Sequence, residues 1–275
     1  MSINERTETH PAPGPIELAV SADVATVEVH AAEDHRTARV VLAPAVPGDA
    51  GAARLIEATS IESRGDRLTV TIPRTPGGGG STTVVRGSGN VVISGGVLTG
   101  EVVGLVLGGA QDGATIVNGQ VITGSGTTVI GSADGGVRVV ATVPPGSRVT
   151  LTGQAPALTT TGPLARVESD TISGRVDIAA AEVVSARTTS GAIRIGACGE
   201  VRARSVSGAV RIRELAGTAT VKTTSGAATV TAVADSAVTA QTVSGDIDLS
   251  APRGVEIDAS TRSVSGRTSN RRWSA

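Results

Sequence analysis

Apolar and polar positions alternate with a period of two through most of the chain, which is the mark of half-buried strands. The alternation is most regular between residues 167 and 268, where one phrase recurs: a polar run, then Ser-Gly, then an alternating apolar pair. The dipeptide stands at Ser173-Gly174, Ser190-Gly191, Ser207-Gly208, Ser225-Gly226, Ser244-Gly245 and Ser265-Gly266, so copies follow one another at 17–21 residues. That spacing is the period of a solenoid coil. Two and four residues after each glycine stand Val176/Ile178, Ile193/Ile195, Val210/Ile212, Ala228/Val230 and Ile247/Leu249, which predict one inward-facing strand. Six and four residues before each serine stand Val184/Ala186, Val201/Ala203, Ala219/Val221, Val238/Ala240 and Ala259/Thr261, which predict a second strand with a smaller inward face. Glycine takes positive φ at little cost and serine bonds its local backbone, so Gly174, Gly191, Gly208, Gly226, Gly245 and Gly266 are read as structural turns. The pattern predicts an all-β fold, a parallel β-solenoid (β-helix), with neighbouring coils about 4.8 Å apart and each satisfying the next one's backbone.

The rest of the chain divides around this array. Residues 1–14, polar and proline-bearing, are expected to be a disordered tail. Residues 15–76 form an N-terminal β region that caps or begins the solenoid, with strands expected at 16–20, 24–29 and 38–42. A loop follows at 44–53, then a strand pair at 55–61 and 68–72, joined by an ordinary turn around Arg64-Gly65-Asp66. Residues 77–136 are a glycine-rich insertion that holds over half of the chain's 36 glycines and only Arg86, Glu101, Asp112 and Asp134 as charges. Within it VISGGVLTG, from Val92, resembles IVNGQVITG, from Ile116. Asn118-Gly119 between apolar pairs predicts a type I′ hairpin, and Gly95-Gly96 is expected to act the same way. The alternative is that the insertion makes narrow extra coils. Low charge combined with high β-propensity is the composition of a surface that pairs with another copy of itself. The solenoid repeats span 137–270, and 271–275 are a tail whose Trp273 is expected to cover the last coil's apolar face.

The phrases TTSGAIRI, SVSGAVRI, TTSGAATV and TVSGDIDL resemble the repeats of the domain-of-unknown-function 4097 family, bacterial β-strand-repeat proteins often labelled putative adhesins. That family's strand region ahead of the repeats is similar to residues 16–72, so the likeness covers most of the chain outside the glycine-rich centre. The resemblance implies a structural or interaction role and supplies no catalytic residue to carry over.

Composition narrows the chemistry further. With no Phe, no Tyr and only Trp273, the core must be built from Val, Ile, Leu, Ala and Thr, which suits a thin interior. The stacking platforms used for single-stranded nucleic acid are absent, and a net charge of −1 gives no global attraction to nucleic acid. The single cysteine, Cys198, excludes an intrachain disulfide and is read as a small turn residue. His30 and His35, with Glu33 and Asp34, are read as a solvated loop and not a metal site. GGGGST at 77–82 lacks the lysine of a phosphate loop. The N-terminus has acids and prolines where a signal peptide needs a basic start and an apolar run, and no stretch has the apolar length to span a bilayer. A cytoplasmic location is therefore expected, with envelope association as the reading the adhesin label favours.

Stacking would align outward positions into ladders. Asp170, Arg187, Arg204, Lys222, Gln241 and Arg262 form one; Asp177, Arg194, Arg211, Thr229 and Asp248 form the other. Arg187, Arg204, Lys222, Arg194 and Arg211 are the candidate polyanion ladder, for an acidic glycan or an anionic lipid surface. A polysaccharide-cleaving enzyme needs a carboxylate cluster, and only Asp246 and Asp248 approach one. No catalytic, cofactor or metal site is predicted. The expected function is a non-catalytic scaffold or adhesin-like module that presents repeated surfaces to a protein partner or to its own copies.

Overall fold

A computed structural model describes residues 5–74 and 136–273, with four short strands between them; residues 1–4, 274–275 and the rest of 75–135 lie outside the described residues. The chain divides into two compact units, residues 1–73 with 136–275, and residues 74–135.

The first unit opens with β1 (Arg6–Pro13), β2 (Glu17–Ser21), β3 (Ala25–Ala31), β4 (Thr37–Pro44), helix α1 (Ala50–Ala58), β5 (Ser60–Arg64) and β6 (Arg67–Thr71). The second unit holds two antiparallel pairs, β7 (Val84–Gly87) with β8 (Asn90–Ile93) and β9 (Ala114–Val117) with β10 (Gln120–Thr123). Gln120 lies opposite Val117, so the expected hairpin at Asn118-Gly119 is present as a strand pair. Gly95-Gly96 lies outside the described residues. The first unit resumes with β11 (Val137–Val143), β12 (Arg148–Gly153), β13 (Ala157–Thr171), β14 (Val176–Thr188), β15 (Ile193–Ser205) and β16 (Val210–Lys222). It ends with β17 (Ala228–Ala232), β18 (Ser236–Thr242), β19 (Ile247–Pro252), β20 (Ile257–Ser263) and β21 (Thr268–Trp273).

Neighbouring copies of the repeat pair in parallel and in register, as a β-solenoid requires. Val184 stands beside Val201, Val201 beside Ala219, Ala219 beside Val238, and Val238 beside Ala259. On the other ladder Ile178, Ile195, Ile212, Val230 and Leu249 form a continuous column. These side chains are buried, apart from Ala259 in the last coil. A single coil has nothing beneath its apolar pair. Full burial of each Ile or Leu contributes about 1.5–3 kcal/mol, and only the adjacent coils supply that burial.

The N-terminal strands are threaded into this stack out of chain order. β2 and β3 pair in parallel with β12 and β13, so they form a coil next to the repeats. β6 and β11 then pair on the far side of β2 and β3 and make the coil beyond them. In that outer coil Thr71 aligns with Ser21 and Val137 aligns with Ala25. Ile72 and Gly136 therefore match Ala22 and Val24, so the chain runs through residues 73–135 between two positions that Asp23 alone separates in the adjacent coil. The glycine-rich segment enters the fold at a single corner.

Three local differences from the sequence reading have physical causes. Residues 6–13 are not a tail: β1 pairs antiparallel with β4, and its buried His10 hydrogen-bonds Ser63. The stretch 50–58 is helical and not loop and strand, because Asp49 caps α1 by accepting from the Gly51 and Ala52 amides, and Ala52 and Ile56 are buried. Only the short pair β5 and β6 remains, turning at Gly65 with φ of 61°. At the other end β21 pairs with β19 through Trp273, so 271–273 are strand; the Trp273 side chain lies outside the described residues.

Candidate functional site

Every repeat turns at the same corner. The six corner glycines are absent from the residues with positive φ, so the left-handed conformation expected of them is not why glycine stands there. Space is the reason. A Cβ on Gly191 would lie 1.9 Å from the carbonyl oxygen of Gly174; on Gly208, 1.8 Å from that of Gly191; on Gly226, 2.1 Å from that of Gly208. The column continues through Gly245 and Gly266 at 2.1 and 2.0 Å. Each glycine lies directly on the backbone of the one before it.

The corner's hydroxyl chemistry also differs from the expectation of a local serine bond. The serine of Ser-Gly reaches the preceding coil: Ser190, Ser244 and Ser265 donate to the carbonyls of Ile172, Thr224 and Val243. The local bond is made three residues before the glycine, by a hydroxyl that accepts the glycine amide and is buried in every case below but Ser263. Thr188 does so for Gly191 at 3.0 Å, Ser205 for Gly208 at 2.8 Å, Thr242 for Gly245 at 2.9 Å and Ser263 for Gly266 at 2.8 Å. The working phrase is therefore Ser/Thr-x-Ser-Gly, and its first position was legible as a recurring hydroxyl in all six copies. At x stand Ile172, Thr189, Val206, Thr224, Val243 and Val264, and the Ile and Val members are exposed.

The two outward ladders are in register. Asp170 aligns with Arg187, Arg187 with Arg204, Arg204 with Lys222, and Lys222 with Gln241. On the second ladder Asp177, Arg194, Arg211, Thr229 and Asp248 follow one another. The five candidate cations are not equivalent. Arg187 lies 3.7 Å from Asp170 and Arg194 lies 3.4 Å from Asp177, whereas Arg204, Lys222 and Arg211 have no ion pair among the described residues. Exposed pairs of this kind contribute little to stability, yet they neutralise two of the five charges. A tighter pair joins β3 to β11, where Arg138 donates twice to Glu28 at 2.8 and 3.0 Å. Those bonds hold the Glu28 carboxyl below its usual range, so the pair's contribution is present at neutral pH and lost as pH falls through that lowered value.

Opposite the Ser-Gly corner β13 to β16 run on without a break, and small residues leave a shallow open groove of about 470 Å³. Ala180, Ala181, Ala197, Gly199 and Ala216 line it, with Glu182 and Glu214 at its edge. Cys198 sits in its floor, aligned between Ala181 and Leu215. Burial pushes the thiol up to about 11, which keeps it protonated and inert near neutral pH. Elsewhere His30 bonds the Thr161 hydroxyl at 2.7 Å. Asp246 accepts the Arg267 amide and Asp248 accepts the Ser269 hydroxyl, so both acids hold the next coil. Among the described residues no three His, Cys, Asp or Glu side chains gather, and no helix is long and apolar enough to cross a membrane.

The chain belongs to the Toastrack DUF4097 family, whose model matches residues 51–272. Among solved structures it is similar to a putative adhesin from Bacteroides fragilis NCTC 9343, at 10% identity and a TM-score of 0.51, with 98% of each chain covered. A putative lipid binding protein from Parabacteroides distasonis ATCC 8503 is similar at 12% identity and a TM-score of 0.45, covering 98% of this chain and 97% of that one. A putative adhesin from Parabacteroides merdae ATCC 43184 follows at 9% identity and a TM-score of 0.43, with 98% and 97% covered. At these identities the first likeness speaks to the fold alone. No curated protein matches the chain.

Proposed function

We propose that the chain is a non-catalytic, adhesin-like interaction module in which the stacked coils are a stiff scaffold and the segment 73–135 makes the contact. The observation that carries this reading is the single enlarged corner. Six corners close with one four-residue phrase, whereas the corner between β6 and β11 carries a glycine-rich segment with almost no charge in place of one residue. The four described strands of this segment pair with one another and not with the stack, and a connecting segment of this kind is the part free to vary with a partner.

The test exchanges residues 73–135 for a single Asp, which restores the corner of the adjacent coil. The variant is expected to keep the parent's cooperative unfolding, to lose association with envelope material in pull-down and to lose any assembly larger than a dimer in light scattering. Retention of every association by the folded variant would remove the reading.

A second reading, capture of an acidic polymer or anionic lipid surface, rests on Arg204, Lys222 and Arg211, the three of the five candidate cations without an ion pair among the described residues. Arg204 and Lys222 are adjacent, and neutralising them should abolish salt-sensitive retention on an acidic glycan matrix. Unchanged retention would exclude this ladder.

A further inference from the structure

The two ends of the stack are built differently. At the N-terminal end β5 closes over β6, and β1 lies along β4 and carries Pro11 and Pro13, which have no amide to offer a further strand. Helix α1 packs on β4 and β11 beside them. At the other end the last described coil is β20 with β21, and among the described residues β20 pairs only with β18 and β21 only with β19. Their outer edges thus present backbone donors and acceptors without a strand. The inward column ends there on Ala259, Thr268 and Asn270, all exposed, where earlier coils bury Val, Ile and Leu.

The outward face of β20 reads Asp258, Ser260, Arg262. Neither charged residue has an ion pair among the described residues. Four residues of extended strand hold them about 13 Å apart, too far to neutralise each other. Around Ser260 the strand is its own electrostatic complement. In an antiparallel pairing of β20 with the same strand of a second copy, centred on Ser260, each Asp258 stands opposite the other copy's Arg262.

We infer that the β20/β21 end is a two-fold docking surface for a second copy of this chain, with β20 pairing edge to edge across the two molecules and Asp258 matched to Arg262 in both directions. A two-fold contact closes on itself, so it gives a dimer and not a filament. It uses the end of the stack opposite the β6–β11 coil and is independent of the glycine-rich segment proposed above as the contact-making part.

The experiment measures dimer dissociation by sedimentation equilibrium for the full chain, D258R, R262D and the double swap D258R/R262D. Each single change sets like charges opposite one another and is expected to weaken the dimer by at least about tenfold; the double swap restores the pair and is expected to return near-parental affinity. The rescue separates docking from any effect of the single changes on folding. A parent chain monomeric at about 100 µM, weaker than any useful contact, would overturn the inference. So would single variants that dimerise like the parent, or a double swap that fails to recover. The variant with residues 73–135 exchanged for Asp should still dimerise, so loss of the proposed function and loss of this interface are read separately.

Discussion

Replacing Gly208 with alanine is expected to destabilise the protein by about 3–5 kcal/mol, far beyond the cost of an ordinary glycine substitution. The new Cβ would sit 1.8 Å from the Gly191 oxygen, 2.6 Å from its carbonyl carbon and 2.8 Å from the Ser205 hydroxyl. Two of these atoms belong to backbone, which cannot rotate away. Retreat would mean separating two coils whose corners are joined by the Ser207 amide to the Thr189 carbonyl at 2.8 Å. It would also break the bond from the Gly208 amide to Ser205, stranding a buried donor. Gly48→Ala is the informative companion. Its φ is +85° but a Cβ there meets nothing within 4 Å, so it should cost only about 1–2 kcal/mol of left-handed strain. Chemical denaturation of both variants decides whether contact or backbone conformation demands glycine; a larger loss at Gly48 than at Gly208 would reverse the conclusion.

Truncating Ile212 to alanine should cost about 2–5 kcal/mol. The side chain is fully buried and stands in its column between Ile195 and Val230, so the cavity it leaves has a coil on either side. Because each coil touches only its neighbours, the lost protection should be local. Hydrogen exchange is expected to accelerate in β15, β16 and β17 and to change little in β2 and β3. Val206→Ala in the same coil, with 46% of its surface exposed, should shift stability by no more than about 0.5 kcal/mol. Uniform acceleration throughout the first unit would show that the coils do not unfold as nearest-neighbour units.

The coil and its facing were legible because stacking forces every copy to place the same kind of residue at the same offset. Val176/Ile178 and their counterparts fall where the alternation puts them, and so do the charge ladders. Register is a consequence of pattern, since a slip of one residue would turn Ile195 outward and Arg194 inward. What stayed hidden was set by contacts between copies. The role of Gly208 depends on the carbonyl of Gly191, one coil away, so local conformational preference suggested positive φ where the cause is close approach. The hydroxyl at Thr188 or Ser205 looked like one more polar strand residue, although its recurrence three places before glycine was the available signal. Helix α1 was obscured by Gly48 and Gly51 on either side of its Asp49 cap. The insertion of β6 and β11 beyond β2 and β3 has no sequence signature at all, because it concerns the order in which equivalent coils are laid down. For the candidate site, the ladders could be read ahead of the structure, but not which of their cations Asp170 and Asp177 neutralise.

The most direct measurement of parallel, in-register stacking is the distance between spin labels placed at exposed corner positions, with Cys198 replaced by alanine. Ile172 and Val243 are four copies apart and Ile172 and Val264 are five, so the backbones should be about 19 Å and 24 Å apart, one strand spacing separating the two results. Narrow distributions that differ by about 5 Å would agree with a stack of identical corners on one edge. If neighbouring copies ran antiparallel, their corners would fall on opposite edges, and the two distances would differ by the length of a strand; that result would contradict the solenoid.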